Sequence, residues 1–236
     1  MNYTIYFTMC SFIYSVLIIT MIFKHKLVKT NSNSVFKALA IANFSAIVLE
    51  LSCALAVVIS NKNPAVINIF VRLFLISLLA WIILFTLYLY TTLYDEKGKK
   101  KQEIVKIRKK TIVFTLILFA IAAIVSLFLP IHTNIDKIYT IGPAVSFVNY
   151  FSDFCMLFGL LYMFKNYSKT KSSKCAPFFA FIAGGVLISI FQSYDPQLLL
   201  ANTVETFVMY LIYFTIDKEE KDAISNEKYI FKKEDK

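Results

Sequence analysis

The sequence predicts an all-α membrane protein, a bundle of seven transmembrane helices. Of its 236 residues, 58% are hydrophobic and 17% are charged, whereas soluble domains are about 45–50% apolar and about 25% charged. The apolar residues come in long runs separated by charged clusters. This pattern is typical of a polytopic membrane protein rather than of one large soluble core. The basic residues are concentrated in alternate connections between the runs, as the positive-inside rule describes.

Seven apolar segments reach or approach the length of about 20 residues that a helix needs to cross the hydrocarbon core. They are residues 4–23, 35–60, 65–94, 111–129, 142–164, 177–192 and 198–216. No basic region precedes the first segment and no small-residue cleavage site follows it, so we expect a retained helix rather than a signal peptide. The sixth segment is short, and its Gly184-Gly185 pair permits a close helix approach or a kink.

Residues 1–216 thus form the predicted membrane domain, and residues 217–236 form a charged tail. The tail is too short and too charged to fold as a domain, although its first residues are expected to extend the seventh helix by a turn or two. The connection 130–141 alternates apolar and polar residues. We expect an ordinary loop there, with a short strand pair as the alternative.

The connections give the orientation. The odd-numbered connections contain fifteen Lys and Arg residues, whereas the even-numbered ones contain only Lys62 and Lys137. This bias predicts an N-terminus outside and a C-terminus in the cytoplasm, which requires an odd number of crossings. It also explains the net charge of +10 without nucleic-acid binding. The predicted location is a cell membrane, with the lipid bilayer as the surrounding partner.

Several polar residues lie inside the segments, where an ionisable side chain costs about 2.5–3.5 kcal/mol on insertion scales. At about 1.5 Å per residue, the charged ones lie about 10–16 Å from the outer ends of their helices. The predicted ligand-binding cluster consists of Glu50, Arg72, Asn149, Asp153, Asn202 and Glu205. The shared depth predicts a cavity open to the outside, with Arg72 facing at least one carboxylate. The alternative is a structural cluster in which Arg72 pairs with one acid and holds helices together.

No catalytic, nucleotide-binding or metal-binding pattern is visible. The two histidines, His25 and His132, are predicted on opposite sides of the membrane. The four cysteines form no C-x-x-C pair, and segment seven has no lysine that would hold a retinal. The sequence therefore predicts no metal, no cofactor and no enzymatic activity.

Three stretches in the second half carry a family resemblance: IGPAVSFVNY at 141–150, QSYDPQLLLANTVETF at 192–207 and MYLIYFTI at 209–216. In this order they resemble the N-terminal multi-helix membrane sensor region of two-component and hybrid histidine kinases of Firmicutes-type bacteria. The resemblance covers roughly residues 140–217. It implies a sensory input domain that forms homodimers and relays a signal through its last helix. After Ile216 the chain reads Asp-Lys-Glu-Glu, and neither a phospho-accepting helix nor an ATP-binding domain follows, so kinase activity is not expected.

The predicted function is therefore sensory: a small ligand or lipid-like signal binds among the helices and is relayed to a cytoplasmic or membrane signalling partner. Two alternatives stay open. In the first, the same carboxylates move protons or a small solute through a transporter or channel. In the second, the chain is a structural accessory subunit of another membrane protein.

Overall fold

A computed structural model describes residues 3–24, 30–59, 63–95, 101–134, 139–166, 172–194 and 200–234. Apart from one short hairpin, the regular structure of these residues is helical. The helices are α1 (Tyr3–Lys24), α2 (Asn31–Ile59), α3 (Pro64–Asp95), α4 (Lys101–Phe128), α5 (Pro143–Asn166), α6 (Ser172–Tyr194) and α7 (Ala201–Glu234). The predicted all-α fold with seven helices is confirmed for the part of the chain described.

Five of the helices, α1 to α5, are long and apolar enough to cross a membrane, which indicates a membrane-embedded protein. In α6 the apolar stretch is shorter, Cys175–Ile188. The helix α7 begins at Ala201, after the leucines that opened the predicted segment, and its apolar part contains Asn202 and Glu205. Seven helices are thus present, while seven membrane crossings stay a prediction.

Two helices extend well beyond the predicted segments. The helix α4 begins at Lys101 rather than at residue 111, and α7 continues to Glu234 rather than ending a turn or two after Ile216. The α4 extension is rich in Lys and the α7 extension in Lys and Glu, which are good helix formers. Within the α7 extension, the ammonium of Lys221 donates to the Asp217 carboxylate at 2.6 Å. This contact raises the pKa of Lys221, and such pairs one turn apart support an exposed helix.

A short hairpin connects α4 to α5. Its strands β1 (His132–Asn134) and β2 (Tyr139–Ile141) are antiparallel, so the expectation of an ordinary loop is wrong and the strand pair is correct. Gly142 follows β2 with a φ of +126°. A Cβ there would lie 3.1 Å from the Pro130 carbonyl oxygen, so glycine suits both the backbone conformation and the space.

Two helices, α3 and α7, each pack against three others. The helix α3 contacts α2, α4 and α5, whereas α7 contacts α1, α2 and α6. A cluster of aromatic rings joins α3 to α6. The rings of Trp81 and Phe85 are stacked 5.1 Å apart, and that of Phe181 lies 5.0 Å and 4.7 Å from them in tilted and edge-on orientations. At Gly184 in α6, an added Cβ would lie 2.5 Å from a Val204 methyl. This glycine therefore permits a close approach of α6 to α7, and a close helix approach is one of the two alternatives that the sequence predicted for the Gly184-Gly185 pair.

Candidate functional site

A continuous set of polar side chains lies between α1, α2 and α7, and we call it the polar seam. All of its members except Thr203 are buried. Its members are Thr8, Ser11 and Ser15 of α1, Asn43 and Glu50 of α2, and Asn202, Thr203, Glu205 and Thr206 of α7. The helices α1 and α7 run parallel here, while α2 runs antiparallel to both, because its end lies beside their beginnings.

The acidic end of the seam is built around Glu50. The side-chain amide of Asn202 donates to the Glu50 carboxylate at 2.5 Å, and the Thr8 hydroxyl also hydrogen-bonds to it. Glu205 lies one turn along α7 from Asn202, close enough to Glu50 for the two charges to interact. One Glu205 oxygen and the Asn202 side-chain oxygen are buried without a hydrogen-bond partner. This end therefore has more acceptors than donors.

The other end of the seam is neutral. The Asn43 amide donates to the hydroxyls of Thr206 at 3.1 Å and Ser15 at 3.5 Å. The hydroxyls of Ser11 and Thr203 lie 2.9 Å apart. Small hydroxyl side chains let membrane helices approach closely and hydrogen-bond to one another. These contacts therefore tie α1, α2 and α7 together along two turns.

The seam follows from helical spacing. On α1 the hydroxyls lie three and four residues apart, which places Thr8, Ser11 and Ser15 on one helix face. The same periodicity joins Asn202 to Glu205 and Thr206 on α7. The cluster predicted from depth contained charged and amide side chains but none of the hydroxyls. The spacing of Ser and Thr on the first segment is the signal that identifies them.

Arg72 does not belong to the seam. Its guanidinium donates to the backbone carbonyls of Ser126, Leu127 and Leu129. Ser126 and Leu127 lie in the last turn of α4, and Leu129 directly follows it. Carbonyls at a helix end lack partners within the helix and form the negative end of its dipole. Among the residues that the structure describes, Arg72 forms no ion pair. The expectation that it faces a carboxylate is therefore wrong.

Asn149 and Asp153 also lie apart from the seam. Both side chains are exposed on α5, a helix whose main neighbours are α3 and α4. The predicted cluster is thus divided: Glu50, Asn202 and Glu205 come together, whereas the other three members do not. Depth along a helix does not determine the direction in which a side chain points, and the sequence interpretation lacked that second coordinate.

Among the described residues, no group of three His, Cys, Asp or Glu side chains is arranged to hold a metal ion. The seam instead offers carboxylate, amide and hydroxyl oxygens at the junction of three helices. In comparisons with known proteins, no family model, no curated protein and no solved structure matches the chain.

Proposed function

We propose that this protein is a membrane sensor in which a small, positively charged ligand enters the polar seam and α7 relays its binding to the tail. One observation carries the proposal. The buried, unpartnered carboxylate oxygen of Glu205 lies on the same helix that continues to Glu234.

The hydrogen-bond donors and acceptors of the seam favour a positively charged ligand. The seam contains two carboxylates, Glu50 and Glu205, and no basic side chain. A buried carboxylate without a partner is unfavourable, and a cation or a hydrogen-bond donor relieves this cost. A protonated amine has three donors and no acceptor, and an alkali ion likewise takes oxygen ligands. Either cation matches the free oxygens of Glu205 and Asn202.

The relay depends on the length and continuity of α7. It contributes Asn202 and Glu205 to the seam and is continuous over 34 residues. At about 1.5 Å per residue, Glu205 lies about 44 Å from Glu234 along the helix axis. A ligand that binds between Glu50 and Glu205 changes the balance of forces between α2 and α7. Such a change becomes a signal when the bundle has two arrangements with different ligand affinity.

The predicted orientation gives the seam access to the outside. With the fifteen basic residues of the odd-numbered connections in the cytoplasm, the beginnings of α1 and α7 face outward. The acidic end of the seam then lies in the outer half of the membrane, and the end of α7 lies where a signalling partner would meet it. A relay through the last helix is also what the resemblance to histidine kinase sensor regions implies.

The test measures the distance between the tail and α1. Spin labels are attached through Lys24→Cys and Lys221→Cys in a chain whose native cysteines are replaced by serine, and the protein is reconstituted in liposomes. Sodium, potassium and methylammonium chloride are the probes, with choline chloride as the ionic-strength control. We expect one or more of the three probes to shift the distance distribution in the parent protein but not in Glu205→Gln, which keeps the side-chain size and removes its charge.

Asp153→Asn is the matched control, because it removes an exposed carboxylate outside the seam. It is expected to respond like the parent protein. The proposal fails if the probes leave the parent unchanged, or if Asp153→Asn loses the response as Glu205→Gln does. Steady uptake of labelled sodium or methylammonium into the liposomes by the protein alone would instead favour the transporter.

A further inference from the structure

The exposed side of α5 carries three polar residues in a row, Ser146, Asn149 and Asp153, which we call the α5 polar stripe. All three side chains are exposed. Their spacing of three and four residues places them on one helix face. They lie within Pro143–Lys165, one of the five stretches that are long and apolar enough to cross a membrane. The stripe therefore faces out of the bundle at membrane depth.

Asp153 lies near the middle of this stretch, about 15 Å from Pro143 and about 18 Å from Lys165 at about 1.5 Å per residue. Its carboxylate forms no ion pair among the described residues, and Arg72 is engaged with the carbonyls of α4. Around it on the same face lie exposed apolar side chains, those of Tyr150, Phe154 and Leu157. A carboxylate that faces lipid near the bilayer centre is among the costliest placements in a membrane protein, and such residues normally have a partner.

We infer that the α5 polar stripe is a docking surface for a transmembrane helix of another protein, one that carries a lysine or arginine at the same depth. A cation there would neutralise Asp153. Asn149 lies one turn nearer the outer end and offers both a donor and an acceptor to a polar group of that helix. Tyr150, Phe154 and Leu157 supply an apolar surface for it to pack against. A second copy of this chain fits less well, because a symmetric contact on this face would place two Asp153 carboxylates against each other.

The test uses synthetic membrane helices of about 20 residues, long enough to span the bilayer. One helix is built of leucine and alanine with a single central lysine, and a second has leucine at that position. The full-length protein is reconstituted in liposomes with a fluorescent donor on the tail, and each helix carries an acceptor. We expect energy transfer with the lysine helix and background transfer with the leucine helix.

Two variants decide the role of Asp153. In Asp153→Leu the affinity for the lysine helix is expected to fall by at least about tenfold, while the thermal unfolding midpoint is retained because the Asp153 carboxylate forms no ion pair with the described residues. In Asp153→Lys, binding is expected to return with a helix that carries a central aspartate. Equal binding of the lysine helix to the parent and to Asp153→Leu would overturn the inference. So would self-association of the parent through Asp153 without binding of the lysine helix.

Discussion

Two side chains show how individual residues satisfy hydrogen-bond acceptors in this bundle, those of a buried carboxylate and those at a helix end. The amide of Asn202 donates to Glu50 in the seam, and the guanidinium of Arg72 donates to carbonyls at the end of α4. Removing a donor leaves the acceptor buried without a partner, at a cost of about 1–3 kcal/mol. Replacing both partners by apolar groups avoids that cost. Comparing the removal of one partner with the removal of both therefore distinguishes a stabilising hydrogen bond from two side chains that are only adjacent.

The prediction at the residue scale concerns Asn202→Leu. We expect it to lower the free energy of unfolding by about 1–3 kcal/mol, because Glu50 keeps its buried carboxylate and loses the amide donor. In the double variant Glu50→Leu with Asn202→Leu, most of that loss should be recovered. Denaturant titration in bicelles measures both values. Glu50→Leu alone completes the comparison. If the double variant loses as much stability as Asn202→Leu and Glu50→Leu lose when their separate losses are added, the two side chains are not coupled.

At the scale of the helices, the sequence predicted which elements exist more reliably than where they end. The apolar runs gave the number of helices, because a membrane-crossing helix must be apolar for about 20 residues. The beginning of α4 and the end of α7 were misplaced because those turns are charged. A charged helix in water has no hydropathy signal, although Lys and Glu favour the helical state. At the hairpin before α5 the strand pair ranked behind an ordinary loop, because strands of three residues are shorter than the about four to eight residues over which alternation indicates a strand.

The prediction at this scale concerns the contact of α6 with α7. Gly184→Ala places a Cβ 2.5 Å from a Val204 methyl, so the helices must separate, and we expect a loss of about 1–3 kcal/mol in the free energy of unfolding. Gly185→Ala is the matched control. Its Cβ would lie 3.4 Å from the flexible end of Met156, and a loss below about 0.5 kcal/mol is expected. Unfolding monitored by circular dichroism in detergent compares the two.

A second variant shows whether the effect arises at this contact. Adding Val204→Ala to Gly184→Ala removes the methyls that the new Cβ would meet, and it should restore much of the lost stability. Equal losses in the two glycine variants would show that the space around Gly184 does not limit the packing of α6 against α7.

At the scale of the whole molecule, the sequence predicted depth but not direction. Charge bias and segment length placed Glu50, Asp153 and Glu205 at similar depths, yet only Glu50 and Glu205 meet, while Asp153 faces outward. Which face of a helix turns inward is set by its neighbours, and those become known only when the bundle is assembled. The outcome is a molecule with an internal polar seam and an external polar stripe on different helices. The ligand proposed for the seam and the helix proposed for the stripe would therefore bind at separate places.

The last prediction concerns how many times the chain crosses the membrane, five or seven. If α6 and α7 both cross the bilayer, the exposed end of α6 lies outside the cell. The variant Tyr194→Cys places a single cysteine there in a chain whose native cysteines are replaced. On intact cells this cysteine should react with a membrane-impermeant maleimide. His132→Cys in the hairpin should react likewise, whereas Lys221→Cys should react only after permeabilisation. The tail lies inside with either five or seven crossings, so the α6 position alone distinguishes them. Protection of Tyr194→Cys on intact cells, with labelling of His132→Cys, would mean that α6 and α7 enter and leave on the cytoplasmic side.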